Sequence, residues 1–169
     1  YALTEIRQVL EVLLEADIFS VITMPNSDVG GDMIYREIVD YANRNPGRMV
    51  LKKSLGQMKY LSLLKNADIM VGNSSSGILE SASFLLPTVN IGDRQKGRMA
   101  PQNVIHCECR KEAILQAIKR GLSPGFTESL AGYVNPYGDG NAAKRIVSVI
   151  LSTDFTDPAL ICKKFYDIR

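Results

Sequence analysis

Residues 58–84 read MKYLSLLKNADIMVGNSSSGILESASF, and their reading decides the fold. Met58, Leu61, Leu64 and Ala67 recur at helical spacing, and Ile69 to Val71 is a short apolar run of the kind that predicts a buried strand. Gly72 to Ser76 is a polar loop, after which Ile78, Ala82 and Phe84 predict another helix. Helix, buried strand, loop and helix in so short a space is the repeating unit of an α/β protein.

The same alternation extends in both directions. Upstream, Leu3, Ile6, Val9, Leu10, Leu13 and Leu14 form a helical stripe, and Phe19 to Met24 is a strand stopped by Pro25. The loop from Asn26 to Gly31 leads into a helix through Ile34, Ile38, Val39 and Tyr41, followed by a strand at Met49 to Leu51. Downstream, Thr88 to Ile91 and Val104 to His106 are strands, and Ala113, Ile114, Ala117 and Ile118 mark a helix. A last helix carries Ile146, Val147, Ile150 and Leu151 and is expected to be capped by Asn141. No strand alternates polar with apolar, so the expectation is one parallel sheet covered on both faces: a doubly wound, Rossmann-like domain over residues 1–152, with a tail at 153–169. In such sheets ligands gather beyond the carboxyl ends of the strands.

Composition narrows the function classes. The chain has 169 residues, 46% of them hydrophobic, enough for a contiguous core. With 22% charged residues and a net charge of +2, it lacks the positive field of a nucleic-acid binder, so an anion site must be local. No apolar run reaches the roughly 20 residues that cross a bilayer, which argues against a membrane partner. Cys107, Cys109 and Cys162 are an odd set that favours reduced thiols and a cytoplasmic protein. His106 beside Cys107 and Cys109 lacks a second ligand pair, so neither a metal nor another cofactor is expected. The chain opens on Tyr1, directly in helical periodicity, as a piece of a longer protein would.

Two loops could carry chemistry. Gly72-Asn73-Ser74-Ser75-Ser76-Gly77 lies between a strand and a helix, where free N–H groups, small side chains and hydroxyls suit an anion. It lacks the Lys of a P-loop, the glycine spacing of a dinucleotide fingerprint and the final glycine of a nucleophile elbow. The same residues also make an ordinary helix cap. Glu80, one turn on, can reach a ribose or can simply complement the helix dipole. Gly92-Asp93-Arg94-Gln95-Lys96-Gly97-Arg98 follows the next strand with three cations that suit a diphosphate, or that are merely solvated. Adjacent in chain order, the two loops could close on one ligand.

Taken together, Pro25-Asn26-Ser27-Asp28, Gly72 through Glu80, Pro87 through Arg98, Asn103-Val104-Ile105 and Tyr137-Gly138-Asp139-Gly140-Asn141 resemble the hydrolysing UDP-N-acetylglucosamine 2-epimerases of sialic-acid and legionaminic-acid biosynthesis. Ser76-Gly77 stands where the wider family often has Gly-Gly, which points to the hydrolysing branch. The resemblance implies the C-terminal half of a two-domain GT-B enzyme that serves cell-surface polysaccharide synthesis. It also implies UDP and UDP-N-acetylglucosamine as ligands, a homo-oligomer, and an N-terminal domain of the same polypeptide as partner. By the resemblance Ser74 and Ser75 contact the diphosphate, with Ser76, Gly77 and Arg98 in the same seat. Glu80 takes the ribose, Arg94 the phosphates or sugar side, and Asn26 and the backbone near Ser54 and Leu55 lie around the uridine. The proton-moving carboxylates are expected in the N-terminal half and a histidine just upstream of Tyr1, which leaves His106 structural and the chain inactive alone. The donor domain of a GT-B glycosyltransferase and a non-catalytic α/β binding module are the rival readings.

Overall fold

The structure, a computed structural model, describes residues 2–24 and 30–162. It comprises two compact units, residues 1–135 and 136–169. In the first, α1 (Ala2–Glu15), β1 (Ser20–Thr23), α2 (Gly31–Arg44), β2 (Met49–Lys52), α3 (Gly56–Asn66) and β3 (Met70–Gly72) follow one another. They lead to α4 (Ser76–Leu79), a 3₁₀ turn at Ser81–Phe84, β4 (Thr88–Ile91), β5 (Val104–Cys107), α5 (Lys111–Gly121) and α6 (Pro124–Ser129). The α/β alternation read from the sequence is present.

Among the described residues all strand pairing is parallel, but it forms two ladders rather than the single sheet expected. β1 pairs with β2, Ser20 opposite Met49, and β4 lies between β3 and β5, with Gly72 opposite Asn90 and Asn90 opposite His106. Strands of three or four residues supply few ladder bonds, so packing joins the two ladders. Leu10, Val12 and Leu13 of α1, Ile38 of α2 and Met49 of β2 share one core with Val89, Ile91, Ile105, Ile114 and Ile118. Val12, Val89 and Ile114 are fully buried; each such side chain contributes about 1.5–3 kcal/mol.

β4 shows why the layers are double. All four of its residues are buried, and successive side chains of a strand point to opposite faces. Val89 and Ile91 enter the core beneath α5, whereas Thr88 meets α4 on the other side, where a methyl placed on Gly77 would lie 2.9 Å from Thr88 Cγ2. Gly77 therefore has a packing reason of its own: only hydrogen fits between α4 and β4.

The helix expected to run through Phe84 is interrupted. α4 is a single turn ending at Leu79, Glu80 joins it to the 3₁₀ turn at φ −111°, and Leu85 at φ 52° ends that turn. A buried polar knot holds the break. Ser81 Oγ donates to Gly77 O at 2.8 Å, while Asn103 Nδ2 donates to Ser81 Oγ at 2.8 Å and to Leu86 O at 2.6 Å. Asn103 is fully buried and is a structural residue of this knot.

The second unit contains α7 (Ala142–Ser152) and a 3₁₀ turn at Pro158–Leu160. Asn141 occupies the N-cap position of α7 but its side chain caps nothing, contrary to expectation. Asp139 takes over the polar work: it accepts from Asn141 N at 2.9 Å and from Arg145 Nη1 at 3.1 and 2.9 Å. These bonds, the arginine first, lower the Asp139 carboxyl to about 2.

Candidate functional site

The two loops singled out in the sequence leave from adjacent strand ends, because β3 and β4 are neighbours and Gly72 lies opposite Asn90. Gly92 and Gly97, at φ 73° and 85°, allow the second loop to turn tightly. Lys96 N donates to Asp93 O at 2.9 Å and Arg98 N to Gln95 O at 3.2 Å. Asp93, Arg94, Lys96 and Arg98 are all exposed, and Lys96 Nζ lies 4.0 Å from Asp93 Oδ2. Gln95 is the exception: only 4% exposed, it turns inward and its Nε2 donates to Asn73 O at 2.8 Å. A hydrogen bond thus ties the basic loop to the serine loop.

In the serine loop, Gly77 N donates to Ser74 O, and Ile78 N and Leu79 N both reach Ser75 O at 2.9 Å. Ser74 Oγ accepts from Ser76 N at 3.3 Å. Among the described residues no acceptor takes the backbone N–H of Ser74 or Ser75, and Ser74 is exposed. The sequence reading gave the helix dipole a share in anion binding. That share is small, because a four-residue helix sums few peptide dipoles; free N–H groups and hydroxyls remain as the binding elements.

A residue that sequence reasoning passed over joins the loop. Tyr60 of α3, half-buried, places its hydroxyl in hydrogen-bond contact with Ser76 Oγ. Burial is the main cause that raises its pKa; the Ser76 bond opposes it, and the negative charge of nearby Glu80 adds to it. Tyr60, Ser76 and Glu80 are therefore one cluster, with Glu80 N bonded to Ser76 O at 3.0 Å and its exposed side chain one turn from the loop. The missed signal was chemical: a tyrosine in an apolar helical stripe still needs a partner for its hydroxyl.

Ser54 and Leu55 form the loop after β2, where Ser54 Oγ accepts from Gly56 N at 3.3 Å and Leu55 stands at the N-cap of α3. The helix that begins there carries Tyr60 to Ser76. A cavity of about 430 Å³ against β1, β2 and α3 is mainly apolar and shares only Leu55 with the residues expected around uridine. Asn26 lies outside the described residues. His106 of β5 has a structural partner, its Nδ1 standing 3.1 Å from Asn90 Nδ2, and Asn90 also reaches Gly92 O at 3.4 Å at the root of the basic loop. Among the described residues no group of three or more His, Cys, Asp or Glu is placed to hold a metal ion. No described helix is long and apolar enough to cross a membrane.

Known proteins share this arrangement of elements. A profile of the family described as UDP-N-acetylglucosamine 2-epimerase matches residues 1–151. The GDP/UDP-N,N'-diacetylbacillosamine 2-epimerase (hydrolyzing) of Campylobacter jejuni is 38% identical over 148 residues, 88% of this chain and 38% of its own. The UDP-N,N'-diacetylbacillosamine 2-epimerase (hydrolyzing) of Legionella pneumophila is 34% identical over 146 residues, 86% of this chain and 37% of its own. The chain therefore spans somewhat under two-fifths of these relatives' length. The crystal structure of UDP-GlcNAc 2-epimerase from Neisseria meningitidis bound to UDP-GlcNAc has a TM-score of 0.66 at 22% identity, over 88% of this chain and 40% of that one, a likeness of fold.

Proposed function

The chain belongs to the UDP-N-acetylglucosamine 2-epimerase family, and from that premise we propose that its two tied loops seat the diphosphate of a UDP-linked 2-acetamido sugar. The observation that carries the reading is the bond from Gln95 to Asn73, which holds a hydroxyl-rich turn and a cationic turn together at neighbouring ends of β3 and β4. Ser74 and Ser75 offer hydroxyls and free N–H groups to phosphate oxygens, Ser76 adds its hydroxyl beside Tyr60, and Arg94 and Arg98 neutralise their charge. Gly77 lets the backbone lie low. Glu80 takes the ribose hydroxyls, and Asn26 and the backbone near Ser54 and Leu55 lie around the uridine.

In the whole protein, of which this chain is the C-terminal half of a GT-B pair, the proposed reaction converts UDP-N-acetylglucosamine and water to N-acetylmannosamine and UDP. Loss of a proton from carbon 2 and departure of UDP from carbon 1 give an unsaturated sugar. Water then adds at carbon 1 and a proton returns to the opposite face of carbon 2. The leaving group is the diphosphate, so cations and N–H donors fixed around it stabilise charge where it develops. The acid and base belong to the N-terminal half, and the isolated chain binds without turning over. The diacetylated bacillosamine nucleotide is a second substrate reading, favoured by the 34–38% identity to hydrolyzing epimerases named for it. A cytoplasmic homo-oligomer that supplies sialic-acid-type sugars completes the proposal.

Calorimetry tests the seat. UDP binds the chain with micromolar to millimolar affinity, and Arg94→Ala and Glu80→Ala each weaken it by about tenfold to a hundredfold without unfolding. Unchanged affinity in both variants discards the assignment. Release of free N-acetylmannosamine by the full-length protein without any acceptor separates an epimerase from a glycosyltransferase, and the two nucleotide sugars offered side by side decide the substrate.

A further inference from the structure

We propose that Gln95 is a positioning residue that sets the direction of a phosphate-binding N–H in the serine loop, an inference that rests on the reading of these loops as a diphosphate seat. In a loop whose neighbours Asp93, Arg94, Lys96, Gly97 and Arg98 are all exposed, this one side chain is 4% exposed. Burying a primary amide is costly unless it is hydrogen-bonded. Its Nε2 is satisfied by Asn73 O at 2.8 Å, and its Oε1 is buried without a partner among the described residues. Flipping the amide would set oxygen against the Asn73 carbonyl, so the chemistry fixes its orientation. An apolar side chain of the same length would fill this space without a buried, unmatched Oε1, but would deprive the Asn73 carbonyl of its donor. The amide is therefore an expensive way to pack and an effective way to hold a carbonyl.

What is held matters. The Asn73 carbonyl and the Ser74 N–H belong to one planar trans peptide and point in opposite directions. A donor on the carbonyl fixes that plane, so the Ser74 N–H, engaged by no described acceptor, is aimed away from Gln95. Donation to the carbonyl also polarises the peptide and makes its N–H a better donor. The same bond sets the register of the basic loop, because Gln95 stands between Arg94 and Lys96. One side chain thereby preorganises both halves of the seat.

The test compares UDP with uridine, which lacks the phosphates, on the 169-residue chain and two variants. Gln95→Met keeps length without the donor, and its UDP affinity falls about tenfold while uridine affinity stays within about twofold. Gln95→Glu at pH 8 sets carboxylate oxygen against the Asn73 carbonyl and loses at least as much. As the pH falls toward about 5 the buried carboxyl takes a proton and becomes a donor, and the UDP affinity returns toward that of the unsubstituted chain at the same pH. Measuring the ratio at each pH cancels titration of the UDP phosphate and of every group that the chain and its variants share. The charged groups beside position 95 are Asp93, Arg94, Lys96 and Arg98 of its own loop, and residues 73–76 of the facing loop carry none. If Gln95→Met does not fold, the pH recovery of Gln95→Glu alone decides. Parallel loss of UDP and uridine, wild-type affinity in both variants, or a Gln95→Glu loss that acid does not reverse overturns the proposal. Failure of the unsubstituted chain to bind UDP at all overturns the seat and this inference with it, a result distinct from variants that bind as well as their parent.

Discussion

Replacing Gly77 by alanine probes the floor on which the serine loop rests. The added Cβ would stand 2.9 Å from Thr88 Cγ2, well inside the 3.4 Å at which ordinary contact begins, and Met70 Cε and Sδ lie at 3.7 Å on another side. Thr88 cannot swing away: it is buried in the middle strand of its ladder, and its Oγ1 donates to Leu86 O at 3.1 Å. Overpacking of this kind costs about 1–3 kcal/mol, against about 0.5–1 kcal/mol recovered by alanine's better helix propensity. A net loss of about 1–2 kcal/mol is expected. Thr88→Ser keeps the hydroxyl, removes the offending methyl and alone costs about 1 kcal/mol. In the double variant the new methyl occupies the vacated space, so the two changes couple favourably by about 1–2 kcal/mol. Urea unfolding followed by circular dichroism measures all four corners of the cycle, and UDP titration measures whether the serine loop moves with α4. Costs that simply add to within about 0.5 kcal/mol would show that α4 does not press on β4. Coupled stabilities with unchanged UDP affinity would separate the loop from the ligand.

The Tyr60→Phe variant loses the hydroxyl contact to Ser76 and is expected to weaken UDP binding about threefold to tenfold with little change in melting temperature, whereas equal affinity would make the contact incidental. Burial, with Cys109 as a lesser cause, pushes the Cys107 thiol up to about 11. Peptide mapping after iodoacetamide at pH 8 should therefore find it labelled on the order of a hundredfold more slowly in the folded chain than in urea, and equal rates would refute its burial. Asp139, lowered to about 2 chiefly by Arg145, contributes stability that is present above its ordinary value near 3.8 and is lost as pH falls through 2. Carbon-detected NMR titration reads that midpoint directly, and Arg145→Ala should move it back toward 3.8.

Much of the fold was legible because its carriers are local. Apolar spacing located α1, α2 and α5, and buried runs located β1 through β5 to within a residue or two. Failures came where a polar side chain overrules a pattern. The helix through Phe84 obeyed the spacing of Ile78, Ala82 and Phe84, but Ser81 reaches back to Gly77 O and Asn103 holds it there from beyond the next strand. Asn141 had the right residue type for a cap, yet its side chain accepts no N–H of the first turn, and its own N–H donates to Asp139 two places earlier. The single sheet was inferred from strand count, and count does not say which short strands exchange ladder bonds.

The candidate site divides along the same line. The serines and arginines proposed to face the ligand are conspicuous in the sequence, because they fall in glycine-bearing turns after buried strands, a pattern that an anion seat shares with a plain cap or a solvated loop. The residues that arrange them are inconspicuous. Gln95 looks like one more polar residue in a basic loop, and Tyr60 like one more large residue on a helical stripe, since each acts on a partner distant in sequence, Asn73 and Ser76. A buried amide bound to a peptide carbonyl carries no periodicity, and a hydroxyl contact between two helices carries no motif. Such residues can be sought in a sequence by asking of every polar group in an apolar setting where its hydrogen bond goes. Applied to Tyr60 among Leu61, Leu63 and Leu64, that question calls for a polar partner, which the fold supplies in Ser76.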